Sequence, residues 1–214
     1  MSKTRLEAFS DGVLAVAITL LVLDLHLAPG EPGGLLAQLA AAWPSFAAYI
    51  VSFLVIGVIW VNHHAVVRLV EVVDRTLLFW NLVLLMFVTA LPFTTATLAA
   101  ALAGGDAGDL RVAAVLYGGA MTGVAVAFTV LHARITAQLL ASGDMDAATR
   151  RRSLLRFGAG TVLYPIITVL GLFSVVAMLL ALAALSLYYL FNQTGTPESG
   201  RVPARPPSGD SEQP

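Results

Sequence analysis

Residues 9–27 read FSDGVLAVAITLLVLDLHL, and this stretch decides the class of fold. Between Asp11 and Asp24 it contains no charged residue. An α-helix needs about 20 mostly apolar residues to cross the hydrocarbon core of a bilayer, where lipid offers the backbone no hydrogen-bond partners. The stretch therefore predicts a first transmembrane helix from about Phe9 to Leu27.

The whole chain has the same apolar character. Of its 214 residues, 58% are hydrophobic and 12% are charged, and the mean hydropathy is +0.84. These proportions are typical of a polytopic membrane protein. The formal net charge of −1 gives no basis for a nucleic-acid partner. The absence of cysteine excludes disulfides, thiolate metal sites and cysteine nucleophiles.

Further charge-poor runs follow the first one. Together they predict an all-α integral membrane protein with six transmembrane helices, at about residues 9–27, 44–61, 77–101, 112–131, 153–171 and 174–191. Pro44 suits the first turn of the second helix, and Pro92 predicts a kink in the third. We expect one domain over residues 1–191, followed by a disordered tail over residues 192–214, which are rich in Pro, Ser and Gly.

The last two predicted helices come from a single uncharged run. Phe157 to Phe191 contains 35 residues without a charge, which would make one helix about 50 Å long. That length exceeds one upright span. We therefore expect two shorter helices with a break near Gly171 to Ser174.

The basic residues test the helix count, because cytoplasmic loops accumulate Lys and Arg. With six helices and both termini in the cytoplasm, 11 of the 12 basic residues fall on the cytoplasmic side. These are Lys3, Arg5, Arg68, Arg75, Arg134, Arg150, Arg151, Arg152, Arg156, Arg201 and Arg205. Arg111 alone falls on the other side. The predicted tail is then cytoplasmic.

Asp11 is the first candidate functional residue. A carboxylate one turn inside a membrane helix costs several kcal/mol unless it is paired or hydrated. A helix cap at the membrane interface is the alternative explanation. The residues around it read Arg5-Leu6-Glu7-Ala8-Phe9-Ser10-Asp11-Gly12.

This arrangement of Arg5, three residues, and then Phe9-Ser10-Asp11 opening the first helix resembles the signature of the transmembrane protein 175 family. That family comprises the lysosomal-type potassium channels and many bacterial members. The six-helix count, residues 60–64 (WVNHH) and Asn81 with Pro92-Phe93 support the resemblance. It implies a pore lined by the first helix of each subunit in a homotetramer.

Helix geometry independently defines a face of the first helix. At 100° per residue, Gly12, Val16, Thr19, Leu20 and Leu23 fall within about one third of its circumference. Asp11 lies on the opposite side. If the stripe lines a pore, Ser10 and Asp11 point back toward the second and third predicted helices.

The resemblance also assigns roles to residues of this stripe. Val16, Leu20 and Leu23 match the apolar layers of the constriction, and Val16 is smaller than the Ile or Leu usual there. Thr19 matches a threonine of bacterial members, and its hydroxyl can replace part of an ion's hydration shell. Asp24 is expected at the outer mouth of the pore.

The resemblance further implies a hydrogen-bond network behind the motif. Its candidate members are Trp60, His63, His64 and Asn81, with interfacial anchoring as the alternative role of Trp60. We expect no metal at His63 and His64, because neighbouring residues lie about 100° apart on a helix and no carboxylate accompanies them in the span.

Two other features have simpler explanations. Gly119-x-x-x-Gly123 predicts close helix packing. The arginines at 150–152 are explained by topology, with anionic lipid as a further reading.

We therefore predict a passive potassium channel in a bacterial plasma membrane. Potassium is its permeant ion, and it has no cofactor. Selectivity is expected to be modest, since the sequence has no Thr-Val-Gly-Tyr-Gly filter. A secondary ion transporter is the alternative, although inverted repeats and interrupted helices around a midplane polar site are not evident. No polar cluster deep enough for catalysis is apparent, so an enzyme is not expected.

Overall fold

The computed structural model describes residues 2–27 and 34–192, with backbone only for Phe191 and Asn192. Its helices are α1 (Lys3–Leu20), α2 (Gly34–Ala41), α3 (Trp43–Val67), α4 (Arg75–Gly104), α5 (Ala107–Ser142), α6 (Ala147–Gly158), α7 (Gly160–Gly171) and α8 (Val175–Asn192). A 3-10 turn, Leu21–Asp24, continues α1. The predicted tail falls almost wholly outside the described residues.

Five helical stretches in the described part of the chain are long and apolar enough to cross a membrane. They are Lys3–Asp24, Trp43–Val67, Arg75–Gly104, Ala107–Ser142 and Ala147–Gly171. Val175–Leu190 is a shorter apolar helix. The chain is thus an all-helical membrane protein, and the sixth crossing by α8 stays a prediction. Between α7 and α8 the chain turns at Leu172 to Ser174.

The helices form a bundle around α3, α4 and α5. Helix α1 packs on one side of it, against α3 and α4. On the other side α7 packs against α5, and α8 packs against α3 and α7. The bundle positions α1 at its edge, with one face buried and the other uncovered by the described part of the chain.

A cluster of three hydroxyls lies inside the bundle. Ser52 Oγ on α3 is 2.8 Å from Thr95 Oγ1 on α4 and 2.9 Å from Tyr117 Oη on α5. All three side chains are buried. Hydroxyls both donate and accept, so the three groups can satisfy one another without a charged side chain.

The helices differ from the predicted spans at their ends. Helix α1 begins at Lys3, not near Phe9, because the Ser2 side chain accepts a bond from the Arg5 N–H. Helix α5 extends well beyond 112–131, because Asp106 caps its start and Gly143 ends it in the left-handed region at φ +85°. A charge-free run predicts only the part of a helix that lies within the bilayer, whereas the capping residues determine where the helix begins and ends.

The C-terminal end of the first helix also departs from the predicted 9–27. The α-helix stops at Leu20, the Leu25 N–H bonds to the Val22 carbonyl, and Leu25 to Leu27 are not helical. The final turn is tightened into 3-10 form, as often happens at a helix terminus.

The close approach of α5 to its neighbours uses Gly123, as expected, but Gly118 in place of Gly119. A Cβ on Gly118 would lie 2.0 Å from Thr168 Oγ1 on α7, and one on Gly123 would lie 2.4 Å from the Phe87 ring on α4. A Cβ on Gly119 would meet nothing within 4 Å. Gly118, not Gly119, therefore permits the contact with α7.

Candidate functional site

Helix α1 has one buried face that holds it against the bundle. Its fully buried residues are Leu6, Ser10, Leu14, Ala17 and Leu21. They recur every three or four positions, which is the period of a single helix face. Four of the five are apolar, so the polar exception, Ser10, requires partners.

Ser10 finds its partner on α4. Asn81 Nδ2 donates to Ser10 Oγ at 3.0 Å, and Asn81 Oδ1 lies 2.8 Å from His63 Nε2 on α3. Because the amide oxygen only accepts, His63 must carry a proton on Nε2. All three side chains are buried. One amide therefore joins α1, α3 and α4.

Asp11 lies next to this cluster and contacts α3. Trp60 Nε1 donates to Asp11 Oδ1 at 3.0 Å. The Trp60 side chain is 43% exposed, so the bond forms at the edge of the bundle. A carboxylate acceptor makes the bond stronger than one between neutral groups.

A second acidic residue of α1 repeats the pattern one turn earlier. Glu7 Oε1 lies 3.2 Å from His64 Nδ1, and the pair becomes an ion pair when His64 is protonated. Both pairs have spacings of four residues, 7 to 11 on α1 and 60 to 64 on α3. The two helices thus meet as antiparallel neighbours, with each acidic side chain of α1 next to a ring nitrogen of α3.

The pairing of Glu7 was missed by sequence reasoning. His64 was expected to bond Ser10 or Asp11, but the structure brings it to Glu7 instead. One signal was present in the sequence: Glu7 and Asp11 lie four residues apart, as do Trp60 and His64. The sequence does not give the register of α1 against α3, so this signal could not predict which residues pair.

The remaining motif residues lie outside this network. The Arg5 side chain is exposed, and no ion pair of Arg5 is present in the part of the chain that the structure describes. Phe9 is exposed beside a shallow apolar groove between α1 and α4, lined by Leu6, Leu78 and Leu82.

The other face of α1 is apolar, and no described residue covers it. Val16 is 55% exposed, Leu20 40% and Leu23 63%. Thr19 is also exposed, and its hydroxyl donates to the Val16 carbonyl at 2.9 Å. Ile18 is partly buried and packs against the core. Asp24 is exposed at the end of the 3-10 turn.

The 3-10 turn changes the alignment of two of these residues. Residues three apart eclipse one another in a 3-10 helix, whereas they differ by 60° in an α-helix. Leu23 therefore follows Leu20 along one line of the exposed face. The exposed stripe of the first helix is therefore narrower at its C-terminal end than ideal α geometry predicts.

Comparisons with known proteins agree with these features. The family model described as "Endosomal/lysosomal potassium channel TMEM175" matches residues 5–92. A protein of Streptomyces collinus named a potassium channel is 47% identical over 196 residues, covering 90% of this chain and 94% of that protein. A potassium channel of Chamaesiphon minutus is 44% identical over 168 residues, covering 74% and 80%.

A solved structure shares the fold. The crystal structure titled as a lysosomal potassium-selective channel TMEM175 homolog from Chamaesiphon minutus superposes with a TM-score of 0.74. It is 34% identical and covers 89% of this chain and 97% of its own. With a helical membrane fold, the FSD signature on α1 and relatives of this similarity, the chain belongs to the TMEM175 channel family.

Proposed function

We propose that the chain is one subunit of a homotetrameric potassium channel whose pore is lined by α1. The observation that carries the proposal is the division of α1 into a hydrogen-bonded, buried face and an apolar face that nothing in the described chain covers. Relatives named as potassium channels supply the ion. One α1 cannot enclose a pore, so several copies must face a common axis.

The exposed apolar residues would form the constriction. Val16, Leu20 and Leu23 then make stacked rings over about 10 Å of the axis. Apolar rings of this kind close a pore by excluding water, and their width and polarity set the barrier. Valine has a shorter side chain than leucine, so at equal spacing between helices the Val16 ring would be wider than the leucine rings.

Thr19 would supply the polar contact between these rings. Its hydroxyl proton is donated to the Val16 carbonyl, so the oxygen keeps lone pairs that can accept or face a cation. In a tetramer there would be four such oxygens. Asp24 would add negative charge at the outer mouth and raise the local cation concentration.

The polar cluster behind α1 would orient the helix. Ser10, Asn81 and His63 are buried away from the exposed face, so they do not contact permeating ions in this arrangement. Their bonds fix the rotation of α1 about its own axis. A fixed rotation keeps Val16, Leu20 and Leu23 directed at the pore.

The charge distribution supports an orientation in the plasma membrane with both termini in the cytoplasm. Arg68, Arg134 and Arg150 then lie on the cytoplasmic side, and Arg111 lies on the outer side. Conduction is passive in this proposal, and no cofactor takes part.

The test is cysteine accessibility in reconstituted channels, which the absence of native cysteine makes direct. Val16→Cys, Leu20→Cys and Leu23→Cys should react with a permeant thiol reagent and lose current. Ile18→Cys is the matched control, about 160° from Leu20 on the helix, and its current should persist. Reaction and block at position 18 alone would refute the pore face.

Current recordings extend the test to mechanism. Leu20→Asn should wet the constriction and raise the conductance, while Thr19→Val should lower the preference for potassium over sodium. A transporter would give saturable, coupled flux in liposomes and no unitary currents. That result would favour the alternative function.

A further inference from the structure

The helix pair α6 and α7 carries a continuous exposed apolar stripe outside the α1 site. Leu155 is 67% exposed, Val162 61%, Ile166 60% and Val169 54%. Ala159 between the helices keeps helical angles of φ −55° and ψ −32°, so the rotation of side chains continues across the junction. The stripe runs along the side of the pair that faces away from the bundle.

Contacts with α5 fix the opposite side of α6 toward the bundle. Ser153 Oγ lies 2.7 Å from His132 Nε2, and the Phe157 ring lies 4.5 Å from the His132 ring between centroids. On α7, a Cβ on Gly160 would meet Ala125 of α5 at 3.4 Å. These contacts set which residues of α6 face outward.

Two arginines lie at the head of the outward stripe. Arg151 and Arg152 precede Leu155 by four and three residues, so they occupy the same helix face. Both are exposed. Ser153 faces α5 and lies about 200° around the helix from Arg151 and about 100° from Arg152, so neither arginine shares the side that Ser153 occupies.

The nearby acidic side chains are engaged elsewhere. Asp146 caps α6 by accepting from the Ala148 and Thr149 N–H groups at 2.8 and 2.9 Å. Asp144 accepts from Ser142 Oγ at 2.6 Å. Within residues 2–27 and 34–190, the ion pairs present join Glu7 to His64 and Asp74 to Arg134. The positive charge of Arg151 and Arg152 is therefore not neutralised by a carboxylate in the described chain.

We propose that Arg151 and Arg152 bind the phosphate of an anionic phospholipid, with an acyl chain lying along Leu155, Val162 and Ile166. Guanidinium groups match phosphate geometry through paired hydrogen bonds. Leu155 to Ile166 spans about 16 Å of helix, close to the depth of one leaflet of a core about 30 Å thick. The two arginines are thus followed by apolar residues, in the same order as the headgroup and acyl chain of a phospholipid.

The net charge of the lipid decides the preference. A zwitterionic headgroup carries a cation that offsets its phosphate, whereas phosphatidylglycerol keeps its negative charge. Basic residues near the membrane surface attract anionic lipid through that charge. A soluble anion would contact the arginines but would make no contact with the apolar stripe.

The test is native mass spectrometry of the full chain in detergent, titrated with phosphatidylglycerol or with phosphatidylcholine of the same acyl chains. We expect tighter binding of phosphatidylglycerol. Arg151→Gln/Arg152→Gln should weaken that binding roughly fivefold for each charge removed. Arg151→Lys/Arg152→Lys should weaken it less than the Gln pair does, because lysine keeps the charge but not the paired hydrogen bonds.

Arg68→Gln/Arg75→Gln is the matched control, because it removes two exposed charges from the α3 and α4 ends and should leave phosphatidylglycerol binding at α6 unchanged. An equal loss in the control would overturn the site. Equal binding of the two lipids to the unmodified chain would also overturn it, even if the Gln variant failed to assemble. Glycerol phosphate tests the source of the phosphate: displacement of lipid at equal concentration would mean a soluble-anion site and no lipid site.

Discussion

Helices α1 and α5 are attached to the same bundle in different ways. Helix α5 packs against α4, α6 and α7, and close contacts at Gly118 and Gly123 set its distance from them. Helix α1 packs against α3 and α4 along one face, where Ser10 and Asp11 form directional bonds. Close packing fixes how near two helices lie, whereas directional bonds also fix rotation. Rotation matters most for a helix whose other face is exposed.

The largest expected effect concerns the close packing of α5 against α7. In Gly118→Ala the new Cβ would lie 2.0 Å from Thr168 Oγ1 and 2.6 Å from Thr168 Cβ, so no rotation of Thr168 relieves the overlap. We expect a loss of about 3 kcal/mol in the free energy of unfolding, measured by denaturant titration in detergent. The control Gly119→Ala meets no atom within 4 Å and should change stability by less than about 1 kcal/mol. Equal losses in both variants would show that close contact at Gly118 does not hold α5.

The next effect concerns the bonds that hold α1. Asn81→Leu leaves Ser10 Oγ and His63 Nε2 buried without their partner, at about 1 kcal/mol for each group in a membrane protein. We expect about 2 kcal/mol less stability and a lower open probability in bilayer recordings. Ser10→Ala leaves the pair of His63 and Asn81 intact, so its loss should be nearer 1 kcal/mol. If Asn81→Leu opened the channel normally, the amide would not be orienting α1.

Asp11→Asn should have a smaller effect. The Asn oxygen still accepts from Trp60 Nε1, and only the charge assistance to the bond is lost, about 1 kcal/mol. We expect a change in open probability with the potassium-to-sodium permeability ratio unchanged, measured under asymmetric ionic conditions. Changed selectivity with normal expression and gating would place Asp11 in the ion path and contradict its role behind α1.

Tyr117→Phe gives the smallest expected effect and tests whether α5 depends on hydrogen bonds as α1 does. It removes the hydroxyl that links α5 to Ser52, but Ser52 keeps its bond to Thr95 at 2.8 Å. We expect a loss of about 0.6 kcal/mol, typical of interhelical hydrogen bonds in membranes, and unchanged conductance. A loss as large as that of Asn81→Leu would mean that α5 also depends on directional bonds.

The sequence predicted the membrane class because it follows from charge-free length, a property of each segment alone. The confirmed family followed from the FSD signature. The matching of Glu7 to His64 was not predicted, because it depends on how far α3 slides along α1. The choice of Gly118 over Gly119 likewise depends on the rotation of α5, which spacing alone does not give.

Helix ends were predicted less well than membrane spans for a related reason. Ser2, Asp106 and Asp146 cap helices in polar sequence, where hydropathy gives no signal. Helix α2 was not predicted, because it follows a segment rich in Pro and Gly. The roles of Val16, Thr19, Leu20, Leu23 and Asp24 stay predictions, since they concern contacts between subunits.

The 3-10 turn makes the outer end of α1 longer and thinner than an α-helix of the same sequence. It rises about 2.0 Å per residue, so Leu20 and Leu23 lie about 6 Å apart along the axis, against about 4.5 Å in α form. Conversion of this turn to α geometry would bring Leu23 about 1.5 Å closer to Leu20 along the helix axis. It would also rotate Leu23 by about 60° around the axis relative to Leu20. Such a change would alter both the spacing and the direction of the Leu20 and Leu23 side chains, while the bonds of Ser10, three turns away, stay intact.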